Sequence, residues 1–454
     1  MKSINQDKLL ENAKKVLEDN WNGKFTIPSA TLYPHQWSWD SCFHAIGNSY
    51  YKPERAIQEL EYLFDAQWKN GMIPHIVFNS EEKTYFPAAD FYQVTRSPNA
   101  PTHIGTSGLT QPSVHAIACY YVYQNHPNKD EGKEFLRKSF KHLKDFHRYL
   151  LTERDPESSG LVTLFHPWES GTDNSPIWDD AFSRIKVKDL PEFTRLDIAA
   201  VDNRNDMRPD NDTYNKFIYL LEIMKKYNYD DNLVDENTPF KIKDVLFSSI
   251  LYVANKYLLK IANIIDEDTI EINEWIKKTE RNFYRYFLPL DHVKLGHHED
   301  NLFYDYDLVK KDWIRKKTVN SLIPIYTGLL SLKEVDMMIN WIDHAHFCGA
   351  VDFCHVPEIP STDLSEAYFQ QNTYWRGPVW INTNWMIWLG LLKHGYIEKA
   401  KSLKNGMFEL AQNHGFREYF NPFSGEGLGG KKFSWTAALI IDMCLNKGTF
   451  IPPD

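Results

Sequence analysis

Apolar residues recur at helical spacing along most of this chain. In DKLLENAKKVLEDN, residues Leu9, Leu10, Ala13, Val16 and Leu17 fall on one face, the stripe that an amphipathic helix buries. A second helix is predicted to start at Pro53, a favoured first-turn residue, to carry Ala56, Leu60, Leu63 and Phe64, and to stop before Gly71. Pro112 opens a run through Cys119 and Tyr121, Phe135 to Phe146 mark another, and Tyr214 to Met224 a third. The same period predicts helices over 242–264, 269–287, 317–331, 333–344, 378–394, 396–413 and 434–446. Sustained period-two alternation is scarce, so the chain reads as all-α.

Segments 24–40, 160–180 and 415–430 are the least helical and carry the most distinctive residues. That is the arrangement expected when chemistry sits on loops held by a rigid scaffold. No linker, composition change or repeat divides the chain, which favours a single domain over 1–454. Helical hairpins in a closed double ring would bury the inner-helix faces and gather loops at one rim. Segments 79–110 and 180–215 read as insertions able to form a lid.

Composition is that of a globular protein, with 43% hydrophobic and 25% charged residues, but the aromatic share of 15%, including 14 Trp, is heavy. Trp clustered beside polar residues suits a concave binding surface. The net charge of −10, from 61 acidic against 51 basic residues, and the absence of a long basic block give no support to a nucleic-acid partner. The charged start, MKSINQDKLLENAKK, lacks a secretory apolar stretch, and WINTNWMIWLGLL is broken by Asn382 and Asn384, so no membrane span or membrane partner is expected. Five scattered cysteines favour a reducing cytoplasm. The cluster HAHFCGAVDFCH brings His344, His346, Cys348, Cys354 and His355 together, but its spacing matches no standard zinc pattern, and no metal is expected there.

Two carboxylates stand out because Trp, Tyr, Gly and Pro surround them: Asp173 in HPWESGTDNSPIWD and Glu418 in FREYFNPFSGEGLGG. Glycosidic bonds break when one carboxyl group protonates the departing oxygen while a second carboxylate activates water or attacks the anomeric carbon. Apolar walls raise the pKa of the acid, and a partner with more hydrogen-bond donors stays ionised. The bland reading is that such residues serve as turn formers or caps. Glu169, Asp179 and Glu426 are the nearby alternatives, and Glu426, in a GEG tripeptide, is the strongest rival for the base.

Taken together, HQWSWDSCFHAIG (35–47), GMIPHIVF (71–78), SGLTQPSVHAIA (107–118), ESGTDNSPIWD (169–179), YWRGPVWINTNWM (374–386) and EYFNPFSGEGLGGKKFSWTAAL (418–439) resemble glycoside hydrolase family 63, in the same order. The resemblance extends over about residues 30 to 440, and the Trp-rich string is its most specific part. It implies an (α/α)6 barrel and an inverting α-glycosidase without an organic cofactor. By the same resemblance Asp173 matches the general acid and Glu418 the general base. Trp37, Trp39 and Asp40 match the sugar subsite, with Gln111, Trp375 and Trp380 completing its wall. The chain is similar to the compact members that hydrolyse mannosylglycerate or glucosylglycerate, in which an Arg and several Tyr hold the glycerate carboxylate. Those positions correspond here to Arg208, Tyr214, Tyr33, Tyr85 and Tyr374. A guanidinium fork suits a carboxylate, although Arg208 could equally pair with Asp206, Asp210 or Asp212. The competing readings are a hydrolase of neutral α-glucosides, trehalose among them, and a barrel that binds carbohydrate without turnover.

Overall fold

The computed structural model describes residues 4–201, 204–289, 301–347, 358–446, 448 and 450–453. In chain order its helices are α1 Gln6–Asp19, α2 Ser38–Ser49, α3 Pro53–Asp65, α4 Ala89–Tyr92, α5 His115–Asn125, α6 Lys129–Thr152, α7 Asp179–Arg184 and α8 Asn211–Lys226. They continue with α9 Asp231–Asn237, α10 Val245–Ile265, α11 Ile270–Phe287, α12 Leu332–Asp343, α13 Ile381–Lys393, α14 Ile397–His414 and α15 Ser434–Leu445. Short strands form three small antiparallel sheets: β1 Gln36–Trp37 with β2 Ile76–Val77; β3 Thr163–Leu164, β4 Ile242–Lys243, β5 Asp305–Asp307 and β6 Asp312–Ile314 in that order; and β7 Arg417–Phe420 with β8 Gly427–Lys431.

Six elements close an inner ring. α2 packs on α5, α5 on α10, α10 on the segment 319–326, that segment on α13, α13 on α15, and α15 returns to α2. The outer helices alternate with them along the chain: α1 lies against α15, α3 against α2, α6 across α5 and α10, α11 against α10, and α14 against α13. This is the (α/α)6 barrel, and the two layers differ in sequence for a physical reason. An outer helix such as α1 buries one stripe, Leu9, Ala13, Val16 and Leu17. An inner helix has neighbours all round, and every residue of α2 is buried.

The fourth inner position is not a continuous α-helix, as the pattern over 317–331 predicts. Its residues form two 3₁₀ turns, Val319–Ser321 and Ile323–Tyr326, because Pro324 has no N–H to continue an α-helical ladder. α10 is long and apolar enough to cross a membrane by length and composition, which the sequence reading did not anticipate, but here it is an inner-ring helix largely buried by its neighbours.

Candidate active site

Asp173 sits between two short 3₁₀ turns, Pro167–Glu169 and Pro176–Trp178, each opened by a proline at the position where a missing N–H costs nothing. The loop between them is fixed by its own polar groups. Ser170 Oγ donates to Pro167 O at 2.7 Å and accepts from Thr172 N at 2.8 Å, and Trp178 Nε1 donates to Thr172 O at 3.0 Å. Gly171 has φ +74°, and a Cβ there would lie 2.6 Å from the Trp39 ring, so only glycine lets the loop close onto that indole.

Glu418 is aimed by a β-bulge. Arg417 pairs with Lys431 and Tyr419 with Leu428, so Gly429 and Gly430 together stand opposite the single Glu418. Gly429 lies at φ +63°, and a Cβ there would fall 2.3 Å from Glu418 Oε2. Gly430 N–H donates to Oε2 at 2.8 Å and Tyr33 OH donates to Oε1 at 2.7 Å. Gly429→Ala is therefore expected to lower kcat/KM by about 10²-fold through displacement of the carboxylate. Steady-state kinetics with circular dichroism as the folding control checks this, and an unchanged rate would contradict the assigned geometry.

Arg208 follows the 3₁₀ turn Asn205–Met207 and precedes α8, whose cap is Asp210. Tyr419 OH donates to Met207 O at 2.8 Å and ties this segment to β7. Arg208 Nη2 donates to Tyr33 OH at 3.0 Å, and the guanidinium lies 4.5 Å over the Tyr374 ring. Its Nη1 is 3.8 Å from Glu418 Oε1 and its Nε 3.5 Å from Asp197 Oδ2. Neither Nε nor Nη1 has a hydrogen-bond partner among the described residues. Of the acids expected to compete for Arg208, Asp206 pairs with Arg204, Asp210 caps α8 and Asp212 holds Lys216.

These groups share one cavity of about 170 Å³. It is lined by Tyr33, Trp37, Trp39, Asp40, Tyr85, Gln111, Asp173, Arg208, Tyr214, Tyr374 and Glu418, so the fold brings together all but two of the expected site residues. The two exceptions, Trp375 and Trp380, are not on its wall. They stack on each other at 3.8 Å and 3°, fully buried, and Trp380 Nε1 donates to Tyr374 O at 3.0 Å. They back Tyr374, whose φ of +40° a tyrosine rarely adopts and which this packing holds in place. The sequence reading did not single out Trp168, Trp435 and His75, which also line the cavity. Each lies in one of the quoted low-helicity or motif segments, and that was the available signal.

Of the five carboxyls lining the cavity, burial raises the pKa of Asp40, Asp173 and Glu418, and neighbouring carboxylates add to the rise at Asp40 and Asp173. Asp197, against its burial, is lowered by Arg195 and Arg208, and Glu82 by its hydrogen bonds to Thr84. Asp173 is pushed up to about 7, with Arg208 and Tyr374 offsetting part of the rise. Asp40 is held well above the usual carboxylate range by burial and by Glu418 and Asp173. Glu418 is also raised by burial, against the opposing pull of Arg208, Gly430 N–H and Tyr33 OH. The donors therefore favour ionisation of Glu418, while Asp173 keeps its proton close to neutrality. The rival carboxylates are otherwise engaged. Glu169 is buried in a bidentate pair with Arg154, Asp179 in one with Arg376, and Glu426 is exposed beside Arg204.

Of the His/Cys cluster, Cys348, Cys354 and His355 lie outside the described residues, and His346 Nδ1 is 3.0 Å from Asp363 Oδ2. Among the described residues no group of three His, Cys, Asp or Glu side chains is arranged to hold a cation.

Residues 33–436 match the family model of the mannosylglycerate hydrolase MGH1-like glycoside hydrolase domain. A mannosylglycerate hydrolase of Rubrobacter radiotolerans is 38% identical over 439 residues, 96% of this chain and 97% of that one. A glucosylglycerate hydrolase of Mycolicibacterium hassiacum is 34% identical over 446 residues, 97% and 98% of the two chains. The crystal structure of a mannosylglycerate hydrolase of Thermus thermophilus in complex with Tris and D-glycerate superposes with a TM-score of 0.87 at 38% identity, covering 95% of this chain and 99% of that one. With the barrel and the paired carboxylates in place, these similarities show that the chain belongs to glycoside hydrolase family 63, among its mannosylglycerate hydrolase MGH1-like members.

Proposed function

We propose that this glycoside hydrolase cleaves an α-linked glycosylglycerate, glucosylglycerate or mannosylglycerate, into free sugar and glycerate with inversion at the anomeric carbon. The observation that carries the reading is Arg208: a buried guanidinium with two nitrogens free of hydrogen bonds among the described residues, facing the same small cavity as Asp173 and Glu418. A neutral sugar has no use for a desolvated cation. A carboxylate on the leaving group does, and Tyr33, Tyr85, Tyr214 and Tyr374 around Arg208 supply further hydroxyls and apolar faces. The names of the similar hydrolases point the same way.

In this mechanism Asp173, protonated near pH 7, gives its proton to the glycosidic oxygen as the carbon–oxygen bond breaks. Glu418, kept ionised by its donors, takes a proton from the water that attacks the opposite face of the sugar. Asp40 accepts from sugar hydroxyls, and Trp37 and Trp39 supply stacking faces. The profile of kcat/KM against pH is expected to be bell-shaped. Its basic limb should lie near 7, where Asp173 loses its proton, and its acidic limb above the ordinary glutamate range, where Glu418 gains one.

The test is a panel of glucosylglycerate, mannosylglycerate, trehalose and other neutral α-glucosides, with proton NMR of the first-formed sugar. The β anomer is expected. An α product would end the inverting assignment, and preference for a neutral glucoside would end the glycerate one. Access is proposed to require separation of two covering segments, which meet where the Phe86 ring stacks on Phe193 at 5.4 Å and 3°. Unchanged positions of these segments in ligand-bound and ligand-free crystals would count against that motion. A cytoplasmic location is inferred as well, supported by the free thiols of Cys42, Cys119 and Cys444.

A further inference from the structure

His75 lines the cavity, is 3% exposed, and plays no part in the acid–base chemistry described above. It follows Pro74 in the loop before β2, and its main chain is woven into the backbone that carries the sugar subsite. His75 O accepts from Ser38 N at 2.9 Å, and His75 N donates to Leu109 O at 2.7 Å. Trp39 N donates to the side chain of Gln111, Oε1, at 3.3 Å. These hydrogen bonds tie the loop of His75 to the start of α2, the helix that carries Asp40, and the start of α2 to Gln111. We propose that His75 is a glycone-binding residue whose Nε2–H donates to one sugar hydroxyl beside Asp40.

The tautomer follows from its partner. Ser107 Oγ accepts from Ile76 N at 3.2 Å and lies 2.5 Å from His75 Nδ1. The hydroxyl has one proton, and among the described residues its acceptor is Nδ1. If Nδ1 carried a proton instead, the serine proton would have nowhere to go. Nδ1 is therefore the acceptor and the neutral ring carries its proton on Nε2, which has no hydrogen-bond partner among the described residues. Burial and the neighbouring His166 keep the ring neutral by lowering its pKa well below the ordinary value.

The chemistry complements what surrounds it. Each sugar hydroxyl both donates and accepts. Asp40 offers acceptors when ionised, and Gln111, with Oε1 occupied by Trp39 N–H, offers its amide N–H groups. A second donor of fixed direction then completes recognition of adjacent hydroxyls, and a sugar lacking the matching hydroxyl leaves a buried N–H unpaired.

The assignment rests on the glycosidase reading, and its test has two parts. Nitrogen NMR of histidine-labelled protein reports the tautomer without any substrate. Protonation on Nε2 is expected, perturbed in Ser107→Ala, and protonation on Nδ1 overturns the proposal. The second part compares His75→Phe and the parent on singly deoxygenated sugars. The parent is expected to lose about 10- to 100-fold in kcat/KM for one deoxy position, His75→Phe to lose that discrimination at that position alone, and His75→Gln to keep most of it. An equal loss on every sugar overturns the proposal. If glycosylglycerates are not cleaved, the functional reading fails. The tautomer, and the deoxy pattern on whichever α-glycoside is turned over, still decide the role of His75.

Discussion

Asp173→Asn is expected to lower kcat/KM for a glycosylglycerate by about 10²- to 10⁴-fold, the range that one positioned general acid supplies. Glu418→Gln should cost as much, and leaving-group chemistry separates the two. On a glycosyl fluoride, whose departure needs little protonation, Asp173→Asn should recover much of its rate while Glu418→Gln should not. Recovery in both, or in neither, would remove the division of roles. Stability provides a second, opposite readout. Asp173 titrates near 7 in the fold against 3.8 as its ordinary value. A raised carboxyl pKa contributes stability that is complete below the unfolded value and is lost as pH rises through the folded one. Above pH 7 the ionised side chain therefore costs the parent up to about 4 kcal/mol, an upper bound because the carboxyl opens onto the cavity. The inactive asparagine variant should be the more heat-resistant protein at pH 8 and nearly indistinguishable from the parent at pH 4, as read by thermal unfolding. A variant less stable than the parent at pH 8 would show that the carboxyl is not strained by burial.

Arg208→Ala is expected to raise KM for a glycosylglycerate by about 10²-fold, since a buried charge-assisted hydrogen bond contributes roughly 1.5 to 3 kcal/mol. For a neutral α-glucoside KM should change little. The guanidinium also holds down the pKa of Glu418 and of Asp173, so both limbs of the pH profile should move upward in the variant whatever the substrate. Equal KM effects on charged and neutral substrates would sink the carboxylate role while leaving the electrostatic one standing. An unmoved pH profile would sink the latter.

Much of the site was legible in the sequence because its residues stand in irregular segments where neither helix period nor solvation explains them. Asp173 and Glu418 were visible for that reason, whereas Trp37, Trp39 and Asp40, the last two inside α2, were reached through the resemblance to glycoside hydrolase family 63. The failures have physical causes. α2 left no helical stripe because every residue from Ser38 to Ser49 is inside, and several of its polar side chains pair with buried groups of neighbouring elements rather than with solvent. Ser41 Oγ and His44 Nδ1, for example, share Glu59 Oε1 at 2.9 and 3.1 Å. Without contrast between faces there is no period to read. Over 317–331 the apolar spacing was helical, but Pro324 overruled it. Trp375 and Trp380 were expected on the cavity wall from the family resemblance, and Trp beside polar residues suits sugar. Composition cannot show that two indoles will satisfy each other face to face and leave the wall to Trp168 and Trp435.

The inner ring is closed by a non-covalent seam between α2 and α15, elements separated by most of the sequence. A nascent chain therefore carries Asp40 and Asp173 long before Glu418, the glycine pair opposite it and the sealing helix emerge from the ribosome, and until then one flank of the first inner helix faces water. Cutting between two outer helices and splicing the ends beside that seam would move the late-arriving segment elsewhere without altering the finished circle. Such a rearranged protein should reach the same catalytic competence along a different order of assembly.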